Sequence, residues 1–115
     1  MKVIRRQMIS SRTLELTVTK PPGIDYRPGQ RIRIIYRGSE RDYSPVSAPG
    51  DPELTFLIRV IHEGALSPKL AAVEKGERLE VSGPYGYFTF RQSPRQAVFV
   101  ATGTGIAPFI SMIRT

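Results

Sequence analysis

Proline and glycine cut this sequence into short alternating runs, and that punctuation limits the fold more than any other feature. Thr13 to Thr19 alternates without a break: Leu14, Leu16 and Val18 fall on one face, Thr13, Glu15, Thr17 and Thr19 on the other. A run of this kind is a strand with one face in a core and the other in water. Val3 to Ser10 reads as a strand before it, with Ser11-Arg12 as the hairpin turn. Lys20-Pro21-Pro22-Gly23 breaks the pattern, and Tyr26-Arg27-Pro28-Gly29-Gln30 forms a second loop. Arg31 to Tyr36 then places Ile32, Ile34 and Tyr36 inward and Arg31 and Arg33 outward, with Ile35 apolar on the outer face. Arg37-Gly38-Ser39-Glu40 reads as a turn into a strand carrying Arg41, Tyr43 and Ser44.

Pro45 and Pro49 lack the amide a ladder needs, so that strand is bent or lies at an edge. After a turn at Ala48-Pro49-Gly50-Asp51-Pro52, Glu53 to Ile61 is the longest strand, with Leu54, Phe56, Ile58 and Val60 inward. Ser67 as N-cap and Pro68 as first helical residue predict a short helix to about Glu74, ending before Gly76. Arg78 to Val81 is a further strand, Gly83-Pro84-Tyr85-Gly86 a turn, and Tyr87 to Phe90 a short aromatic stretch. The pattern changes after Pro94. Ala97 to Ala101 is continuously apolar, as in a parallel strand buried on both faces. Thr102-Gly103-Thr104-Gly105 is a glycine-rich turn, and Ala107 to Ile113 opens a helix. Six or so antiparallel strands with one short helix imply a closed barrel or a small sandwich, followed by the opening of a βαβ unit.

With 115 residues, 40% of them hydrophobic, the chain suits one small domain with a real core. It has no cysteine and a single histidine, His62, which excludes disulfides, thiolate metal sites and a multi-histidine centre. No metal is expected. No apolar run approaches the ~20 residues of a membrane span, and Met1 to Arg6 does not read as a signal peptide. A cytoplasmic location is expected, since cysteine usage permits a reducing compartment. The net charge of +7 favours an acidic partner: a phosphorylated ligand, an acidic protein or a nucleic acid.

The chemistry concentrates in Arg41-Asp42-Tyr43-Ser44. In an extended strand Arg41 and Tyr43 share one face, Asp42 and Ser44 the other, and Ser44 can swing toward the ligand side where the strand ends. A guanidinium clamps phosphate, a tyrosine face lies against a planar heterocycle, and a serine hydroxyl reads a ring edge. Together they describe a nucleotide or flavin site. Gly64-Ala65-Leu66-Ser67 is a glycine-containing turn into a helix start, a second phosphate candidate that taken alone is an ordinary capped helix. Thr102-Gly103-Thr104-Gly105 is similar to a pyrophosphate-binding turn but lacks the full dinucleotide fingerprint, because Pro108 holds its last position. His62 has no serine or acid pattern around it and receives no catalytic role.

In order and spacing, these pieces resemble the ferredoxin–NADP reductase family of flavoproteins. Arg41-Asp42-Tyr43-Ser44 resembles its Arg-x-Tyr-Ser flavin motif, Gly64 to Ser67 its pyrophosphate turn, and Gly83-Pro84-Tyr85-Gly86-Tyr87-Phe88 its GPxGxF segment. Thr102 to Phe109 is similar to the start of its pyridine-nucleotide domain. The resemblance implies an all-β fold: a six-stranded antiparallel Greek-key barrel with one short helix, plus a C-terminal βα fragment of an α/β domain. It places a FAD-binding domain at residues 1–95 and an incomplete NAD(P)-binding domain at residues 96–115. FAD is implied ahead of FMN, with Arg41 on its phosphates, Tyr43 against the isoalloxazine ring and Ser44, the catalytic candidate, near the ring nitrogen that exchanges hydride. The amides of Ala65, Leu66 and Ser67, after Gly64, would cradle the pyrophosphate. Thr102, Gly103, Thr104 and Gly105 would supply part of a nicotinamide nucleotide site.

The family activity is hydride exchange between NAD(P)H and flavin, coupled to one-electron transfer with ferredoxin, flavodoxin or a fused redox domain. A family member continues for about another domain, whereas this sequence stops at Thr115. Full NAD(P)H turnover is therefore not expected of it alone, and a truncated product, an expressed fragment or half of a split reductase are the options. The apolar tail is expected to associate with a second copy or with a partner chain, against disorder or packing back on the barrel. A non-enzymatic flavin-binding or subunit-interaction module is the alternative function. A basic oligonucleotide-binding barrel is a third, weakened because the aromatics form no obvious stacking platform.

Overall fold

The computed structural model describes residues 1–91 and 96–115. The domain boundary expected at residue 95 lies outside the described residues. In chain order the elements are β1 (Val3–Met8), β2 (Thr13–Thr19), β3 (Arg31–Tyr36), β4 (Ser39–Tyr43), β5 (Glu53–Arg59), α1 (Ser67–Ala71), β6 (Glu80–Tyr85) and α2 (Ala107–Arg114). A one-turn 3-10 helix, Gly103–Ile106, leads into α2.

The fold is mostly β. Among the described residues six strands form two antiparallel three-stranded sheets, ordered β1-β2-β5 and β4-β3-β6. Two isolated bridges link them: Pro45 with Phe56, just past β4, and Lys2 with Arg78, just before β6. Period-two alternation sets the inner face. Leu14, Leu16, Ile32, Ile34, Leu54, Phe56 and Ile58 are fully buried, joined by Val18 and by Leu66, Leu70 and Val73 from around α1. Each such side chain contributes about 1.5–3 kcal/mol by leaving water, so the inner faces and α1 hold the two sheets together.

The structure differs from the sequence reading in four places. The β3–β4 turn is only Arg37-Gly38, both at positive φ (48° and 77°), and β4 begins at Ser39. Two left-handed residues in a row make the tight turn whose twist matches a hairpin. Ser67 is not the N-cap. Leu66 caps α1, while the Ser67 hydroxyl accepts the Ile61 amide at 2.9 Å, so the local loop bond wins over the cap. The helix also stops at Ala71, where Ala72 and Val73 turn back onto Lys69 and Leu70. Gly83-Pro84-Tyr85 belongs to β6 rather than to a turn, because Arg31 pairs with Tyr85 across a bulge. Lastly, Ala97 to Ala101 is not a strand, and Val98 and Val100 are 81% and 83% exposed. A doubly buried strand needs a neighbour on each side, and among the described residues none flanks it.

Candidate functional site

β4 is an edge strand with β3 as its ladder partner, and its register decides what it presents. Arg41 lies opposite Ile34 and Tyr43 opposite Ile32, both buried, so Arg41 and Tyr43 share the inward face as their spacing predicts. At the open edge of that face Arg41 is exposed, its guanidinium donating to the Glu40 carbonyl at 2.7 Å. Tyr43 is half-buried, its ring edge-on to Phe56 at 6.5 Å between centroids. Burial raises its phenol above the ordinary value, so it stays a neutral ring. Ser44 follows directly, half-buried, where the chain leaves β4 for the Pro45 bridge.

α1 reaches the start of β4. Lys69, in α1, donates from its ammonium to the Arg37 carbonyl and to the Ser39 hydroxyl, both at 2.9 Å. Ser39 is two residues before Arg41 and on its face, so Lys69 ties α1 to the motif strand. Nothing in the sequence pattern singled out Lys69, since its role depends on a contact between elements distant in the chain. Gly64 is closely packed: a Cβ there would lie 3.0 Å from the Ile61 carbonyl oxygen and 3.2 Å from the Ser67 hydroxyl. Arg41 and Lys69 thus bring two cations to the strand face that also carries the half-buried Tyr43 ring, which suits a phosphorylated planar ligand.

On the outer face Asp42 stands opposite Arg33. Arg33 donates Nε to Asp42 Oδ1 at 2.8 Å and Nη2 to Oδ2 at 3.4 Å, and Arg31 lies 3.6 Å from Oδ2. The Arg33 hydrogen bond, with help from Arg31, holds the Asp42 carboxyl below its usual range.

The glycine turn near the C-terminus is placed differently. Thr102, Gly103 and Gly105 are exposed in or beside the 3-10 helix, and Gly105 donates its amide to the Thr102 carbonyl at 3.0 Å. This turn lies against β5, the strand that also carries Phe56 beneath Tyr43. α2 packs back onto the sheets through a buried polar trio: Tyr26 Oη and Ser111 Oγ both donate to the Ser47 carbonyl, at 2.7 and 2.6 Å. Arg114 pairs with Asp51 at 3.4 Å beside it. Phe99 stacks on Phe109 at 4.7 Å, and Phe88 meets Phe109 edge-on at 5.6 Å. Among the described residues no cluster of metal-ligating side chains occurs, and no helix is long and apolar enough to cross a membrane.

These elements agree with a known family. The chain belongs to the oxidoreductase FAD-binding domains, whose family model matches residues 1–90. It is 38% identical over 110 residues to the 2-halobenzoate 1,2-dioxygenase electron transfer component of Burkholderia cepacia, covering 91% of this chain and 32% of that protein. It is 32% identical over 120 residues to the flavodoxin/ferredoxin–NADP reductase of Escherichia coli, covering 98% and 48%. The ferredoxin–NADP⁺ reductase of Plasmodium falciparum shares its fold at a TM-score of 0.87 and 23% identity, over 98% of this chain and 49% of that one. The chain spans about a third to a half of the length of these curated relatives.

Proposed function

We propose that this chain holds FAD along the β4 edge as the flavin domain of an NAD(P)H-dependent reductase. The observation that carries the reading is the shared face of Ser39, Arg41 and Tyr43, bridged by Lys69 to α1. Arg41 clamps the flavin phosphates and Tyr43 lies against the isoalloxazine ring. Ser44 donates to the ring edge near the nitrogen that exchanges hydride. The amides of Ala65, Leu66 and Ser67, after the Gly64 turn, take the pyrophosphate. FAD, when bound, supplies hydride and single-electron exchange; the side chains orient it, and the half-buried Tyr43 excludes water from one ring face. Thr102, Gly103, Thr104 and Gly105 serve NAD(P)H only within a complete second domain, the division falling near residues 95 and 96.

Further parts of this reading rest on the same geometry. The bridges Pro45–Phe56 and Lys2–Arg78 support closure of the two sheets into one six-stranded Greek-key barrel. The net charge of +7 supports an acidic electron carrier such as ferredoxin or flavodoxin, and the cysteine-free composition suits the cytoplasm. Exposed Val98 and Val100 favour association through the tail, with a second copy or with a chain carrying the dinucleotide domain. The same exposure favours a second reading, a flavin-holding module that turns over only with such a partner. Light scattering with and without residues from Ala97 onward tests the association: a monomer at every concentration, unchanged by the deletion, removes it.

Titration with FAD, followed by the visible spectrum, tests the function. The parent chain is expected to shift the flavin bands, and Arg41→Ala to weaken binding roughly ten- to a hundred-fold, the scale of a lost charge-assisted hydrogen bond. Tyr43→Ala is expected to restore flavin fluorescence that Tyr43→Phe keeps quenched. Equal affinity in Arg41→Ala and parent would remove Arg41 from the site.

A further inference from the structure

We propose that Asp42, Arg33 and Tyr85 form a clamp on the outer face of the β4-β3-β6 sheet that positions Arg41 and Tyr43 for the flavin; this rests on the FAD reading above. Side chains on a strand alternate, so Asp42 can point outward only when Arg41 and Tyr43 point inward. A slip of one residue in the β4 register would turn both flavin-facing side chains to the outside. The Arg37-Gly38 turn fixes the register where β4 begins, but β4 is short and lies at an edge, so its far end, with Tyr43, is held on one side by β3 alone.

The clamp supplies what the ladder lacks. Arg33 holds both oxygens of Asp42 in a fork, at 2.8 and 3.4 Å, from the directly opposed position on β3. An isolated exposed ion pair does little, but this guanidinium is also fixed from the other side. Its carbon stands 4.5 Å from the centre of the Tyr85 ring on β6, and the Tyr85 hydroxyl shares a 3.0 Å hydrogen bond with Ser82. One planar group thus joins all three strands, by hydrogen bonds toward β4 and by its face toward β6. Arg31 adds a contact with Asp42 at 3.6 Å, and the chain turns away from β6 at Gly86, whose φ of +93° favours glycine. Gly83-Pro84-Tyr85-Gly86 therefore acts as the rear support of the motif strand. Asp42, Arg33 and Tyr85 are positioning residues that need not touch the ligand.

The test is FAD titration of the full chain, read by affinity and by flavin fluorescence at saturation, beside thermal unfolding of each variant. Asp42→Asn and Arg33→Lys are expected to weaken FAD binding about ten-fold, the scale on which groups supporting a ligand-contacting residue act. Both should also quench bound flavin less, since Tyr43 is less well held. Tyr85→Leu should behave likewise, while Tyr85→Phe, which keeps the ring face, should match the parent. Parent-like affinity and quenching in Asp42→Asn and Arg33→Lys would overturn the clamp, as would losses that only track the unfolded fraction. If the parent chain binds no FAD, the flavin reading falls and the clamp with it.

Discussion

β2 and the Ala97–Ala101 segment are both rich in apolar residues, and both read as strands from their patterns. β2 lies between β1 and β5, and its Leu14, Leu16 and Val18 are fully buried. Ala97–Ala101 has no partner strand among the described residues, and Val98 and Val100 stay in water. The pattern of a strand is a statement about a partner as much as about the segment. An alternating run can be satisfied by one core, whereas a run apolar on both faces needs two layers and two neighbouring strands. α2 follows the intermediate course: it buries Ala107 and Ser111 against the sheets and leaves Ile113 exposed.

The largest expected effect sharpens that contrast. Phe56→Ala should destabilise the chain by about 3–5 kcal/mol, since it opens a cavity between the sheets and beneath Tyr43. Val100→Ala should change stability by no more than about 0.5 kcal/mol. Urea unfolding of both variants checks this, and a comparable loss in Val100→Ala would mean that the tail is buried in solution.

Gly29 sits between the Phe88 segment and α2. Its φ is +100°, and a Cβ there would lie 1.6 Å from the Phe88 carbonyl oxygen and 2.9 Å from the Met112 methyl. Gly29→Ala must therefore displace the Phe88 segment and strain the loop, at about 1–3 kcal/mol. Hydrogen exchange should rise over residues 107–114 and stay unchanged in β2. Uniform loosening of both would show that sheets and tail are one cooperative unit.

A smaller effect belongs to Ser111→Ala. The Ser47 carbonyl keeps its bond from Tyr26, so the loss is one net hydrogen bond, about 1 kcal/mol. Exchange over α2 should quicken while FAD affinity stays at the parent value, since none of the three side chains lies on the β4 face.

What the sequence disclosed follows from the range of each interaction. The inward faces of β2, β3 and β5 were legible because period two is local, and so was the shared face of Arg41 and Tyr43. The length of the Arg37-Gly38 turn was hidden because a non-glycine residue at positive φ carries no strong signal. Ser67 misled because its hydroxyl could serve either the helix or the loop, and Ile61 decided the matter from six residues away. Lys69 on Ser39, Arg33 on Asp42, and Tyr26 with Ser111 on Ser47 depend on register or docking between distant segments. The nearest thing to a signal was chemical: a buried tyrosine hydroxyl requires a partner, but its sequence position does not name one.

The smallest effect is a pH dependence that separates the sheet from the tail. The folded Asp42 carboxyl titrates below its usual range, chiefly because of Arg33. A depressed carboxylate stabilises the fold above its unfolded pKa, about 3.9 for aspartate, and that contribution disappears as pH falls through the lower folded value. Arg33 stays protonated throughout, so in this pair the carboxylate is the group that titrates. Parent and Asp42→Asn should therefore differ in stability near neutral pH, with the parent the more stable, and converge in strong acid. The gap should also narrow with added salt, because Asp42 and Arg33 are partly exposed. Denaturant unfolding from neutral to acid pH reads it directly. A gap that persists in acid would mean that Asp42 acts through its shape and hydrogen bonds rather than its charge.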